Sequence, residues 1–272
     1  MSSSVFSVIS LFSGSKGNCT LVRCGETKVL IDAGMSCRAI ERALGDVGET
    51  LGAISAVFLT HEHSDHTKAL PVLLKKHPVP VHAPADTVKM LALGGYPTDC
   101  FVPHPVCFSV TVSGTDGGEP IVFSSFPTPH DASVSVGYRI ETAEGSAALA
   151  TDLGSVTDEV RNAFSGCRNV VIESNHDENM LLMGSYPYEL KRRILSDSGH
   201  LSNSACGDFV RELVAGGAEH ILLAHLSPEN NTPELAYLTV QTILKQRGFR
   251  EGEDYSLRVA ARDKPVALFD EI

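Results

Sequence analysis

THEHSDH, residues 60–66, brings His61, Glu62, His63, Asp65 and His66 into one short stretch. The chain just before it, GAISAVFLT (52–60), is apolar and β-prone and reads as a buried strand. The cluster therefore sits where a strand ends and a turn begins, the place at which sheets flanked by helices bind ligands. His61 and His63 are two residues apart, so in extended chain their side chains point the same way and can reach one metal ion. Asp65 and His66 follow the turn and can reach a second ion nearby. Neutral imidazole and carboxylate suit zinc, manganese or iron. A lone histidine is ordinarily a surface or core residue. Four ligand-type side chains within six residues are not explained that way.

One cluster cannot complete two coordination spheres. Working outward, three further segments place a polar ligand after an apolar strand: IVFSSFPTPHD leads to His130, SAALATD to Asp152 and HILLAHLS to His225. Asp152 is the natural bridge, because its two oxygens can hold two cations ~3.5–4 Å apart. Each of these residues alone would pass as an ordinary turn residue.

The rest of the 272-residue chain bounds the class. Apolar residues make up 43% and charged residues 20%, which fits a globular protein with a large core, one domain over 1–272. No apolar run approaches the ~18 residues of a membrane span. The start, MSSSVFSVISLF, lacks a basic region and reads as a first strand, not a signal peptide. Seven cysteines without a CxxC pair read as free thiols of a cytoplasmic protein. The net charge of −11 argues against a broad nucleic-acid surface, although bound cations or a small basic patch can reverse the local sign.

Strand-like and helical stretches alternate along the chain. VFSVISLF, CTLVRCG, KVLIDAG, AVFLT and VPVHAP read as strands, with helices over CRAIERALGDVG and TKALPVLLKKHP. The middle, about 100–150, is β-rich, and NVVIESNHD and EHILLAHLS are later strands. Helices are expected over 155–165, 187–198, 202–215 and 233–247. The pattern predicts two mixed sheets sandwiched between helices.

The order HxHxDH, later His, Asp after a small-residue strand, final His resembles the metallo-β-lactamase superfamily, along essentially the whole chain. The fold this implies is an α/β four-layer αββα sandwich. LIDAG (30–34) matches the family's first motif, with Asp32 steadying the metal loop. Residue by residue, the resemblance assigns His61, His63 and His130 to one metal and Asp65, His66 and His225 to the other, bridged by Asp152. It thus implies two divalent ions as cofactors. SGSKGNC (13–19), TDLGSVT (151–157), ESNHDENML (173–181), GSYPYELKRRILSDSGHLSN (184–203) and LLAHLSPENN (222–231) narrow it to the YycJ/WalJ (VicX) branch. That branch implies a 5′-to-3′ exonuclease on double-stranded DNA, hence a nucleic-acid partner and no membrane.

The same resemblance suggests a proton-donating pair, Glu173 orienting His200, with Asp65 accepting a proton as well as binding metal. His200 precedes an expected helix start whose N–H groups could face a phosphate. Ser202 and Asn203 are candidates for substrate contact, with helix capping as the competing role. Lys191, Arg192 and Arg193 are candidates for the nucleic-acid backbone, against the commoner fate of a solvated helix face. His176 and Asp177 are undecided, and His77, His82, His104 and His220 read as structural. GSKGN lacks the P-loop spacing and reads as a tight turn near the metals. Two rival readings stand beside the nuclease. One keeps the site but hydrolyses an RNA end, a small phosphodiester, a thioester or a lactam. The other is a non-catalytic regulatory protein stabilised by metal.

Overall fold

The computed structural model describes residues 6–114 and 118–269; the first five residues of the expected opening segment lie outside them. Two mixed sheets carry the fold. The first contains β1 (Phe6–Phe12), β2 (Cys19–Cys24), β3 (Thr27–Ile31), β4 (Ala56–Phe58), β5 (Val81–Pro84) and β6 (Phe101–His104). The second contains β7 (Ser109–Val112), β8 (Ile121–Pro127), β9 (Val136–Thr142), β10 (Gly145–Ala150), β11 (Asn169–Glu173), β12 (His220–Ala224) and β13 (Ser256–Val259). A short β14 (Val266–Ala267) returns to pair with β1 at the edge of the first sheet. Both sheets are part antiparallel and part parallel. Strands β3 to β6 run parallel in one, and β10 to β13 in the other.

Three packed regions define four layers. Between the sheets, Val8, Ile31 and Phe58 meet Phe123, Tyr138, Leu149 and Leu222. The Phe58 ring stacks on Phe123 at 4.3 Å between centroids and meets the edge of Tyr138 at 5.5 Å. Outside the first sheet, α1 (Cys37–Asp46) and α3 (Leu70–Lys76) bury Ile40, Leu44, Leu70 and Leu73. Outside the second, α5 (Asp158–Phe164), α8 (Asn203–Ala215) and α9 (Pro233–Gln246) bury Phe164, Phe209, Val210, Val240 and Leu244. This is the αββα sandwich. Sheets covered on both faces need continuous apolar strands, and β1 and β11 are buried at every position.

Several expected boundaries move, each for a physical reason. Of 52–60, only Ala56–Phe58 is strand; Leu51–Ala53 forms a 3₁₀ turn. The helix expected over 67–78 splits into α2 (Ser64–Thr67) and α3, because Pro71 lies at the start of α3 and has no N–H to continue a helix. Asp65 and His66 therefore lie on a short helix. α4 (Ala85–Leu93), α6 (Glu178–Met183), β13 and β14 were not anticipated. The helices expected over 155–165, 187–198, 202–215 and 233–247 are α5, α7 (Tyr188–Ile194), α8 and α9. Among the described residues, no helix is long and apolar enough to cross a membrane, and all seven cysteines are free.

Candidate metal centre

The C-terminal ends of strands from both sheets converge. Asp32 follows β3, His61 lies beyond β4, Asp152 beyond β10 and His225 directly after β12, while Glu173 ends β11. Asp32, Asp152 and His225 have φ of 61°, 55° and 56°, the only positive values outside glycine among the described residues. That left-handed conformation costs of order 1–3 kcal/mol and persists where the surroundings over-determine it. At all three positions it turns a polar side chain back across the strand ends. Gly34 lets the chain close over the site. A Cβ there would lie 1.5 Å from the Asp65 carbonyl oxygen. The backbone is stitched at that crossing by Asn18 N–H to Asp65 O (2.8 Å) and Ala33 N–H to His66 O (2.7 Å).

The imidazoles are oriented from behind. Asp32 Oδ2 accepts from His66 Nδ1 at 2.7 Å. Its carboxylate also takes the Thr60 N–H at 2.9 Å and the Thr60 hydroxyl at 2.9 Å. The Thr60 hydroxyl oxygen in turn lies 3.0 Å from His61 Nδ1. Glu173 Oε1 accepts from His225 Nδ1 at 2.6 Å, and the Gly199 carbonyl faces His130 Nδ1 at 3.3 Å. With Nδ1 carrying the proton, each of these rings presents Nε2 as a bare lone pair, the arrangement in which histidine binds metal.

The ligand-type atoms of these and neighbouring side chains gather into metal-sized groups. His61, His63 and His130 form one; Asp65, His66 and His225 form another. Asp152 joins His61 and His66 in a third, so it stands between the two, and it joins Glu173, His200 and His225 in a fourth. His66 Nε2 lies 3.1 Å from Asp152 Oδ2. Buried His61 Nε2, Asp152 Oδ2 and His225 Nε2 have no hydrogen-bond partner. Buried polar atoms are ordinarily satisfied, so three such orphans within these groups fit bound cations. The donor set is nitrogen and oxygen, as divalent transition metals require. All seven residues singled out in the sequence are thus brought together.

Electrostatics without an ion show the same demand. Burial pushes the His61 imidazole well below its ordinary pKa, reinforced by His66. Burial opposes charge on His66 too, but Asp32 and Asp152 outweigh it and hold its pKa well above the ordinary value. Burial likewise opposes the Asp152 anion, yet His225 and His66 hold its pKa well below the carboxylate range.

Glu173 and His200 also meet. Glu173 Oε1 accepts from His200 Nδ1 at 2.9 Å, and Oε2 accepts the Leu153 and Leu201 N–H groups at 2.8 and 3.1 Å. The single carboxylate therefore holds both His200 and His225, whereas the sequence suggested His200 alone. Against the cost of burial, these two imidazoles lower Glu173 to about 2, and Glu173 raises His200 to about 9. His200 lines a cleft of about 170 Å³ with His225, Asn175, Asp131 and Arg193. Gly199 permits the turn: a Cβ there would meet the Ile194 carbonyl oxygen at 2.2 Å.

Most of the other residues singled out in the sequence have partners within the fold. Asn203 is buried, its amide engaged by Ser174 (2.7 Å) and Asn231 (3.0 Å), so no part of it faces a substrate. Ser202 caps α8 through Ala205 N–H at 3.2 Å and donates to Glu178 at 2.9 Å. Capping, the competing role, accounts for it. Lys191 donates to the Leu182 and Gly184 carbonyls, both at 2.7 Å, and Arg193 pairs with Asp131. Only Arg192 of that run is loosely held, 3.8 Å from Glu189. Asp177 caps α6 through Met180 N–H at 2.8 Å. His176 is buried with both ring nitrogens unpartnered and joins none of the metal-sized groups. His77, His82, His104 and His220 find partners outside those groups. Sequence reasoning missed Asn18, whose side chain lies 3.0 Å from His66 Nε2, and Thr60; only the fold brings either to the rings.

This fold and this His/Asp centre define a class, and comparison with known proteins agrees. A β-lactamase superfamily domain profile matches residues 27–226. The chain is 39% identical over 265 residues to the exodeoxyribonuclease YycJ of Bacillus anthracis, covering 97% of each chain. It is 33% identical over 258 residues to the exodeoxyribonuclease WalJ of Streptococcus pneumoniae, covering 95% of each. The metallo-β-lactamase fold protein YhfI of Bacillus subtilis superposes with a TM-score of 0.70 at 15% identity, over 97% of this chain and 100% of that one, which speaks to the fold alone. The chain belongs to the metallo-β-lactamase superfamily, in its YycJ/WalJ branch.

Proposed function

We propose that the protein is a two-metal phosphodiesterase that degrades double-stranded DNA from the 5′ end, working in the cytoplasm. The observation that carries the reading is the Glu173 carboxylate shared between His200 and His225, beside seven converging His and Asp side chains. The exodeoxyribonuclease names of the full-length relatives support DNA as the substrate.

His61, His63 and His130 would hold one ion, Asp65, His66 and His225 the other, with Asp152 between them. Zinc, manganese or iron bound there supplies positive charge at a phosphate oxygen and an acidified water for in-line attack. Asp65, with its side chain 24% exposed, accepts the proton of the attacking water. Glu173 faces the Nδ1 proton of His200 and, against the cost of burial, raises the imidazole to about 9, which favours the charged, proton-donating ring. Its Nε2–H is the proton that the leaving alkoxide takes as the P–O bond breaks. Hydrolysis by thioester or lactam chemistry would leave this donor pair idle.

Metal-reconstituted protein should turn over bis(p-nitrophenyl) phosphate and release 5′ mononucleotides from a 5′-labelled duplex. Release from the 3′ end first, or activity on RNA ends alone, would reject the assigned substrate. No turnover of either phosphodiester at full metal occupancy would reject the enzyme reading altogether.

A further inference from the structure

A second cleft opens beside the first and is not used by the chemistry above. It measures about 220 Å³ and shares Ser15 and Pro228 with the His200 cleft. Leu226, next in chain to His225, forms its wall with Met35 and Pro228. Lys16 and Arg262 are exposed on its rim. Arg262 donates to the Ser227 carbonyl at 3.4 Å, and no ion pair ties either cation among the described residues. This differs from the 191–193 run, where Lys191 and Arg193 are already engaged.

The loop bearing Lys16 is fixed to the metal centre. Gly14 N–H donates to Asn18 Oδ1 at 2.9 Å, and the Asn18 amide nitrogen lies 3.0 Å from His66 Nε2. Gly17 packs on Met35: a Cβ at Gly17 would sit 2.5 Å from its sulfur. An apolar wall with two exposed cations that no ion pair neutralises among the described residues, adjoining the His200 cleft, suits one nucleotide of a longer strand. The volume falls below the ~300–1,000 Å³ of pockets that enclose a whole drug-sized ligand.

We propose that this cleft is the subsite for the nucleotide adjoining the scissile phosphate, its base against Met35, Leu226 and Pro228 and the strand's phosphates on Lys16 and Arg262. The inference rests on the nuclease reading. On a chain of net charge −11, such a local pair would hold DNA where the rest of the surface repels it. Asp263 shares the rim and opposes the same phosphates.

The test is digestion of a 5′-labelled duplex by metal-reconstituted protein across a salt series. Lys16→Ala/Arg262→Ala should raise KM on the order of tenfold and flatten log(kcat/KM) against log salt by about 1.8, two phosphates' worth of released counterions. Lys16→Arg/Arg262→Lys should restore the slope, and Asp263→Asn should lower KM. Unchanged KM and slope in the alanine variant, while the wild type digests the duplex, overturns the subsite and leaves the nuclease reading standing. A wild type that hydrolyses bis(p-nitrophenyl) phosphate but no DNA overturns both.

Discussion

Asp32 and Glu173 occupy corresponding places in the two sheets, at the C-terminal ends of β3 and β11, and both are buried carboxylates that hold imidazoles by Nδ1. Their reach differs. Asp32 reaches across to the segment after β4, through His66 and both polar groups of Thr60. Glu173 serves His225, which is buried, and His200, whose side chain is 21% exposed in the cleft. One carboxylate therefore orients an imidazole within the buried cluster, while the other links a buried imidazole to one that opens on the cleft. Both sheets contribute side chains to the candidate metal centre, and the second also carries the Glu173–His200 pair at the cleft.

Substituting the two acids should break the symmetry between them. Glu173→Gln is expected to have the largest effect, because an amide can satisfy neither imidazole as an anion does. Metal affinity should fall by about 10–100-fold, as for other lost partners of metal-bound histidine. DNA hydrolysis should fall by a further ~10²–10⁴ from the damaged proton donor. Metal titration followed by single-turnover digestion at saturating metal separates the two losses, and a full rescue by metal would show that Glu173 acts on His225 alone.

His200→Ala isolates the outward half of that function. Both ions should remain, and DNA hydrolysis should drop by ~10²–10⁴. The defect should shrink on bis(p-nitrophenyl) phosphate, whose leaving oxygen needs little help from a proton. An equal defect on both substrates would point to phosphate binding by His200, and loss of an ion would make it a ligand.

Asp32→Asn is the milder counterpart. It should weaken metal binding by about 10–100-fold while activity returns once metal is in excess, since nothing links Asp32 to the leaving group. An activity loss that survives saturating metal would erase the contrast with Glu173.

The smallest effect concerns acid stability on the first sheet, which has a histidine pair that the second lacks. His82 Nδ1 lies 2.9 Å from His104 Nε2, and the rings stack between Phe58 and Phe108. Burial, with His104 adding to it, lowers His82 to about 4. Between that value and the ordinary 6.5, the unfolded chain binds more protons than the folded one. Stability should therefore rise with pH through this window and fall as pH drops from 6.5 toward 4. His82→Gln should flatten the change in melting temperature over that range relative to wild type; an identical slope would show that the pair is already protonated when folded.

What was legible in the sequence was what is local. HxHxDH compresses four side chains into one turn, and His130, Asp152 and His225 each follow an apolar strand, so strand-end logic reaches them without coordinates. The layered architecture was equally readable, because sheets covered on both faces require long apolar strands alternating with amphipathic helices. Glu173 also ends an apolar strand and His200 lies in a glycine turn before a helix, but their pairing was reached only through resemblance. Ser202 and Asn203 looked available for substrate because hydroxyl and amide groups serve caps, buried networks and ligands alike, and the partner that decides among these is a tertiary neighbour. The basic run at 191–193 carried charge in the sequence, but its carbonyl and carboxylate partners, Leu182, Gly184 and Asp131, come from other segments. Only the fold decides that Glu173 is shared by two imidazoles and that Lys16 and Arg262, from opposite ends of the chain, stand on one rim. A residue's type sets which interactions it can make; the packing of distant strands sets which of them it does make.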